Sequence, residues 1–162
     1  MRPHIAITRV LASDDGPRQL VAELDTHLAT LYPPEQNFLT PIAALAQPGV
    51  AFLVAHIEGE LAGCGAVVEQ DAGYGELKRI YVRPAFRGLG VGRRLVAALE
   101  QAALERGLPH LKLETGIYQP EAIALYQRCG YTHCSRFGDY PDSASSVFMH
   151  KPLTADLAST AR

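Results

Sequence analysis

The sequence lacks the features that mark several large classes of protein. No stretch is long and apolar enough to span a membrane, and the start, MRPHIAITRV, has no apolar core of a signal peptide. A net charge of −2 without a run of like charges gives no basic surface for nucleic acid. The cysteines number three and have no disulfide-framework spacing. These absences predict a cytoplasmic protein with reduced thiols that binds neither membrane nor nucleic acid.

The composition of the chain is that of an ordinary globular domain. Of its 162 residues 48% are hydrophobic and 20% are charged, and the sequence contains no internal repeat or low-complexity segment. This length can bury one substantial core. We therefore predict a single domain over residues 1–152, followed by a frayed C-terminal tail over residues 153–162.

Hydrophobic periodicity divides the chain into eleven elements in the order β-α-α-β-β-β-α-β-α-β-β. Glycine and proline clusters mark the breaks between them. Hairpins in the middle and one β-α-β crossover predict an α+β fold, a three-layer α/β/α arrangement with helices on both faces of a mixed, mostly antiparallel sheet. The predicted strands cover residues 4–10, 50–57, 61–69, 76–82, 110–114, 131–135 and 147–151, and the helices about 15–31, 42–46, 90–106 and 119–130.

The stretch 76–107 runs from a strand through a glycine-rich turn into a long amphipathic helix. Backbone N–H groups at such a helix start point outward unpaired, and the helix dipole adds positive charge, so the turn suits a phosphate or pyrophosphate. The spacing Gly88-x-Gly90-x-Gly92 differs from the dinucleotide fingerprint, which needs its third glycine where Arg93 stands. A Walker loop needs Gly-Lys-Ser/Thr, which is absent.

Two sequence blocks carry a resemblance to a known family. The first is Arg87-x-x-Gly90-x-Gly92 after the strand end Ile80-Tyr81-Val82. The second runs from Gln119 to Tyr131 as QPEAIALYQRCGY. Together they resemble the central [Q/R]-x-x-G-x-[G/A] motif and the later N-x-x-A-x-x-L-Y-x-x-x-G-F motif of the GNAT superfamily of acyl-CoA-dependent N-acetyltransferases. Gln119 replaces the usual Asn and Tyr131 the usual Phe, and the resemblance covers residues 50–131.

The resemblance implies how the chain holds acetyl-CoA. The backbone amides of residues 87–92 would cradle the pyrophosphate, and Arg83, Arg87, Arg93 and Arg94 would supply charge-assisted bonds. The end of the strand 76–82 would bind the pantetheine amides, which requires the strand 110–114 to splay away, as a β-bulge commonly allows. The implied cofactor contacts are Ile80, Tyr81, Val82, Arg87, Gly88, Leu89, Gly90, Val91, Gly92, Arg93, Gln119 and Tyr126. No metal is expected, since the sequence offers no fourth ligand beside Cys129, His133 and Cys134.

Amide formation needs a neutral amine, so a base matters most for the most basic acceptors. Deprotonation at pH 7 costs about 4.6 kcal/mol for a lysine-like amine but about 1.4 kcal/mol for an α-amine. Glu76 and Glu114 lie where different members of the family keep a base; Glu76 is the slightly preferred candidate. The alternative for each is a strand-end carboxylate paired with Lys78, Arg79 or Lys112. Resemblance places the hydroxyl of Tyr126 at the thioester sulfur as general acid, and a satisfied core tyrosine is the alternative.

The acceptor is expected to be the amine of a small molecule or amino acid. Four loop aromatics, Tyr32, Tyr118, Phe137 and Tyr140, are candidates for the wall of its pocket, although such residues also form plain packing clusters. The leading hypothesis is an acetyl-CoA-dependent N-acetyltransferase. A protein N-terminal or lysine acetyltransferase and a non-catalytic acyl-CoA-binding module are the alternatives, and a homodimer is left open because the oligomeric state is not readable from the sequence.

Overall fold

The computed structural model describes residues 3–154, which form seven strands and four helices. The strands are β1 (Ile5–Val10), β2 (Val50–Ile57), β3 (Glu60–Glu69), β4 (Gly75–Val82), β5 (His110–Gly116), β6 (Thr132–His133) and β7 (Ser146–Pro152). The helices are α1 (Asp15–Leu31), α2 (Ile42–Leu45), α3 (Val91–Glu105) and α4 (Pro120–Arg128).

All seven strands belong to one mixed sheet in the order β1-β2-β3-β4-β5-β7-β6. Every neighbouring pair is antiparallel except β4 and β5, which are parallel and connected through α3. This sheet confirms the predicted fold class.

The helices cover both faces of the sheet. On one face Leu20, Leu24 and Leu28 of α1 pack with Leu45 of α2 against strand residues such as Phe52. On the other face α3 and α4 pack against a second, larger core; the buried contributors from these helices are Val91, Leu95, Val96, Leu99, Ala103 and Tyr126. The two cores lie on opposite sides of one sheet, which makes the three predicted layers.

The two central strands separate after three residue pairs. Gly75–Leu77 of β4 pair with Leu111–Leu113 of β5, and no pairing follows toward Val82. Beyond this point β4 contains a bulge: Arg79 has φ of 57°, and the register with β3 shifts between Cys64 and Ala66. A bulge bends its strand and increases the local twist. The expected splaying of the central strands is therefore present.

Most predicted element boundaries agree with the structure within a few residues. The turn between β2 and β3 holds Glu58 and Gly59 at positive φ, as a two-residue hairpin requires. The predicted strand 131–135 was too long, because only Thr132–His133 at the sheet edge pair with β7. Two single 3₁₀ turns, Pro34–Gln36 and Pro84–Phe86, were not predicted.

Within residues 3–154, no helix has the length and apolar character needed to cross a membrane. Most of the predicted tail, from residue 155 onward, lies outside the described residues.

Candidate active site

A cleft opens on the α1 side of the sheet where β4 and β5 separate. It holds a cavity of about 90 Å³ between the two strands, the C-terminal half of α1 and the segment 36–40 that follows it. That is room for a few water molecules or one small chemical group. Three charged residues line the cleft: Lys78, Arg79 and Glu114.

The bulge in β4 turns two consecutive cations toward the cleft. In a regular strand Lys78 and Arg79 would point to opposite faces, but the left-handed backbone at Arg79 places both on the α1 side. Arg79 is almost fully buried; its guanidinium contacts Asp25 of α1 and donates to the Thr40 carbonyl oxygen from Nε at 3.1 Å and Nη2 at 3.0 Å. Arg79 thus ties the segment around Thr40 to the strand and to α1.

Glu114 lies on β5 just beyond the last residue that pairs with β4. Its Oε2 accepts a 2.8 Å hydrogen bond from the Ser146 hydroxyl. Burial raises the pKa of the Glu114 carboxyl to about 7, although Ser146 and the charge of Lys78 lower this pKa; the charge of Glu76 adds to the rise. A carboxyl group with this pKa exchanges its proton near neutral pH, which is what a general base requires.

Glu76 occupies a different environment from Glu114. It is 4% exposed and is not among the residues that line the cleft. Its Oε1 accepts from Gln70 Nε2 at 3.0 Å, and its Oε2 contacts the Tyr140 hydroxyl at 2.5 Å and Lys78 Nζ at 3.1 Å. The paired strand-end carboxylate that the sequence left as an alternative is therefore the arrangement of Glu76.

The phenol of Tyr126 enters the cleft from α4. The side chain is buried and its ring packs edge-to-face on Tyr131 at 6.0 Å between centroids. Tyr126 lines the cleft, and its hydroxyl forms no hydrogen bond with residues 3–154 and is not a fully buried atom. Burial raises the pKa of this phenol, with smaller contributions from Cys129 and Glu114. Tyr126 thus supplies the cleft lining with a protonated hydroxyl whose hydrogen is uncommitted.

The four predicted pocket aromatics do not act alike. Tyr32 and Tyr140 line the cleft. Tyr118 is 55% exposed and packs on the Tyr32 ring at 5.5 Å. Phe137 does not line the cleft: it is buried in an aromatic cluster with Tyr140, Phe148 and Tyr74. For Phe137 the plain packing cluster replaces the predicted pocket wall, because the loop folds back on the sheet.

Tyr32 joins α1 to the start of α4. Its hydroxyl donates to Gln119 Oε1 and accepts from the Tyr118 backbone N–H, both at 3.2 Å. A Cβ on Gly116 would lie 1.8 Å from this hydroxyl, so only glycine fits there. Sequence reasoning missed the role of Gly116, which depends on a contact across 84 positions of the chain (116 − 32).

The glycine turn before α3 offers a row of free donors. The backbone N–H groups of residues 88–93 donate to no acceptor within residues 3–154; the first α3 bond runs from Arg94 N to Gly90 O. Gly88 and Gly90 have φ of 79° and 87°, and a Cβ on either would meet no atom within 4 Å. The open space above these donors fits an anionic group. Gly92 has another role, since a Cβ there would press on Leu125 of α4 at 3.0 Å.

The side chains of two predicted cofactor residues, Arg83 and Tyr81, have partners on α1. Arg83 forms a two-pronged ion pair with Glu23 of α1, at 3.1 Å from Nε and 2.8 Å from Nη2. This pairing holds the Arg83 side chain against the α1 face, and its expected phosphate contact stays a prediction. Tyr81 likewise turns toward α1, where its hydroxyl donates to Glu23 at 3.2 Å.

The remaining predicted cofactor residues lie at the end of β4, on the glycine turn and at the start of α3. Ile80 lines the cleft, and Val82 ends β4, where its carbonyl oxygen accepts from Arg87 Nε at 3.1 Å. Leu89 and Arg93 are exposed on the turn, whereas Val91 is buried beneath it. Among residues 3–154 no three His, Cys, Asp or Glu side chains are grouped closely enough to hold a metal ion.

Comparisons with known proteins agree with this geometry. The Acetyltransferase (GNAT) family matches residues 15–131. The chain is 44% identical to the IAA acetyltransferase of Azospirillum brasilense over 93% of this chain and 99% of that protein, and 34% identical to an uncharacterized N-acetyltransferase of Bacillus subtilis (strain 168) over 84% and 93%. A crystal structure of a Klebsiella pneumoniae protein assigned as an acyl-CoA N-acyltransferase has 40% identity and a TM-score of 0.78 over 93% of this chain and 98% of that one. The chain therefore belongs to the GNAT family of N-acetyltransferases, and it is an acyltransferase.

Proposed function

We propose that the protein transfers the acetyl group of acetyl-CoA to the amine of a small molecule by direct attack of the amine on the thioester. One observation carries this proposal. Glu114, whose pKa is about 7, and the uncommitted hydroxyl of Tyr126 line the same small cleft, beside a strand edge and a glycine turn whose donors are free. A proton acceptor, a proton donor and an anion cradle are the parts that this reaction needs.

The glycine turn is the proposed pyrophosphate site. The free N–H groups of residues 88–93 and the exposed Arg87 and Arg93 would hold the phosphate charge. The unpaired edge of β4 from Ile80 to Val82 would bind the amides of the pantetheine arm, as an added strand does. When bound, acetyl-CoA supplies an activated acyl group as its thioester.

Glu114 is the proposed general base. As the carbon–nitrogen bond forms and the carbon–sulfur bond breaks, the amine proton passes to the Glu114 carboxylate. Its pKa of about 7 is close to that of a free α-amine, so little free energy separates the two proton positions. Glu114 is proposed in place of Glu76, the slightly preferred candidate from the sequence, because Glu76 is buried and its oxygens are engaged.

Tyr126 is the proposed donor to the departing sulfur. Its raised pKa keeps the phenol protonated across the working range of pH. Full proton transfer to a thiolate of pKa about 8.5 is then uphill. We infer that Tyr126 stabilises the developing thiolate by a hydrogen bond, and that the thiolate gains its proton after leaving the cleft.

The size of the cleft supports a small acceptor over a protein. A cavity of about 90 Å³ with one carboxylate in its lining is not the long acidic groove expected of an enzyme that acts on a polypeptide. Tyr32, held by Gln119 and the Tyr118 backbone, closes one side of it. The name of the Azospirillum relative also points to a small molecule as its acceptor.

Location and assembly remain proposals of the same kind. Cys64, Cys129 and Cys134 are all free thiols, which is typical of the cytoplasm. We place the reaction there and keep residues 1–152 as one catalytic domain. A homodimer remains a hypothesis that sedimentation would test.

The direct test follows free thiol release from acetyl-CoA in the presence of a panel of amines. We expect acceptor-dependent thiol release together with an acetylated product. If acetyl-CoA binds tightly but no amine in the panel releases thiol, the protein is an acyl-CoA-binding module and the proposed transfer is wrong.

A further inference from the structure

Lys78 is a cleft residue that the transfer chemistry leaves without a task. No proton movement of the proposed mechanism uses Lys78, yet its side chain lines the cavity. The side chain is only 17% exposed. Burial of this kind costs free energy, because the ammonium loses part of its solvation and requires protein groups that compensate for it.

The ammonium of Lys78 is fixed at two points. Nζ lies 3.1 Å from Glu76 Oε2 and donates to the Tyr140 hydroxyl at 3.0 Å. The Tyr140 hydroxyl in turn donates to Glu76, and Gln70 holds the other oxygen of that carboxylate. These contacts hold the ammonium of Lys78 and engage both oxygens of Glu76.

One N–H of this ammonium is left over. A lysine has three donors, and within residues 3–154 Lys78 uses two of them. The other cation in the lining, Arg79, is committed to Asp25 and the Thr40 carbonyl. The cleft therefore presents one available cationic donor, on β4, and one available carboxylate, Glu114, on the neighbouring strand.

This pair of opposite charges has the form of a receptor for a zwitterion. Lys78 and Glu114 both line the cavity of about 90 Å³. They are also close enough for the charge of Lys78 to act on the Glu114 carboxyl. An amine at Glu114 and a carboxylate at Lys78 would satisfy both charges at once. We propose that the acceptor is a small amino acid, with its amine and carboxylate on the same carbon or on neighbouring carbons. This inference rests on the proposed function, and it narrows the substrate class.

The test compares three acceptors that share one side chain: an amino acid, its primary amide and the corresponding decarboxylated amine. The amide is the stringent control, because its lower amine pKa favours reaction in the absence of any carboxylate recognition. We expect kcat/KM for the amino acid to exceed that for the amide and for the amine by about tenfold or more, the effect of one charge-assisted contact.

Variants assign this preference to Lys78. Lys78→Met should reduce the ratio of kcat/KM between amino acid and amide to one or below, since the ratio cancels changes shared by both acceptors and the lower amine pKa of the amide then favours the amide. The double variant Lys78→Met with Glu76→Gln avoids leaving Glu76 as a buried unpaired charge, and it should give the same ratio if the single variant does not fold.

The outcomes separate the two proposals. Turnover of amides or amines with no preference for the amino acid, or a preference that Lys78→Met retains, overturns the amino-acid assignment and leaves the transferase proposal standing. The absence of turnover with all three acceptors across several side chains, together with acetyl-CoA binding, overturns both.

Discussion

In the proposed mechanism Glu114 gains a proton, whereas Tyr126 keeps its own. Burial is the largest influence on the pKa of both side chains, and it raises both. The same physical cause gives a carboxyl group that is poised near pH 7 and a phenol that stays protonated. Their different roles follow from their different ordinary pKa values.

Replacing Tyr126 by Phe tests the donor role. The change removes one oxygen that has no hydrogen bond within residues 3–154, so the folded state should lose little stability. We expect kcat to fall roughly 10²-fold, at the lower end of what a positioned proton donor contributes, while the Kd of acetyl-CoA changes by less than about threefold. Steady-state rates and calorimetric binding provide the two numbers, and an unchanged kcat would refute the role.

The pKa of Glu114 also predicts a cost in stability. Its folded-state value of about 7 lies above the ordinary 4.5, so the folded protein binds this proton more tightly than the unfolded chain. Stability is therefore lost as pH rises from about 4.5 to 7. Glu114→Gln should escape this loss. At pH 8 its free energy of unfolding should exceed that of wild type by on the order of 1–2 kcal/mol, with a higher Tm, and the gain should be smaller at pH 5. Equal shifts at both pH values would contradict the assigned pKa.

At the scale of elements, the proposed pyrophosphate site in the turn before α3 depends on the backbone of its glycines. Gly90→Ala and Gly107→Ala form a matched pair at the two ends of this helix, because both glycines have positive φ and open space around the missing Cβ. Each substitution should cost about 1–2 kcal/mol of backbone strain. Only Gly90→Ala should also weaken acetyl-CoA binding, about tenfold or more, as measured by calorimetry. Similar losses of affinity in both variants would place the pyrophosphate elsewhere.

Through Arg79, the bulge in β4 connects the proposed cofactor strand to the segment around Thr40, which is the proposed wall of the acceptor pocket. Arg79→Lys keeps the charge but loses the fork that reaches both Asp25 and the Thr40 carbonyl. Hydrogen exchange should accelerate in the segment 36–45 and KM for the acceptor should rise, with little change in KM for acetyl-CoA.

Arg83→Lys provides the matched control for this prediction. It weakens an ion pair between an arginine and the same helix α1, where the partner is Glu23 and not Asp25. The contacts of Thr40 are left unchanged. If hydrogen exchange in the segment 36–45 is equally fast in Arg79→Lys and Arg83→Lys, Arg79 does not hold this segment in place.

At the scale of the whole molecule, the sequence predicted the fold better than the site. Strand alternation, the helical spacing of leucines and the glycine and proline breaks are local signals, and each element they mark is present. Two short sequence blocks predicted the glycine turn before α3 and the place of Tyr126 on α4, and both features are present in the structure. These features could be predicted because each is determined within about 20 residues.

The choice between Glu76 and Glu114 depends on contacts that the sequence does not display. Gln70 and the Tyr140 loop engage one carboxylate, while Ser146 and burial tune the other. Arg79 gives no local sign that it adopts positive φ, since arginine rarely does. Strict alternation therefore hides the fact that Lys78 and Arg79 face the same cleft.

Glu114, and not Glu76, is the proposed acceptor of the amine proton. The most direct measurement is kcat/KM against pH for wild type, Glu114→Gln and Glu76→Gln with a single acceptor, whose own titration is common to all three. We predict that wild type and Glu76→Gln share a rise centred near pH 7, and that Glu114→Gln loses this rise together with roughly 10²-fold or more of its rate. A Glu114→Gln variant that keeps the rise while Glu76→Gln loses it would contradict the account.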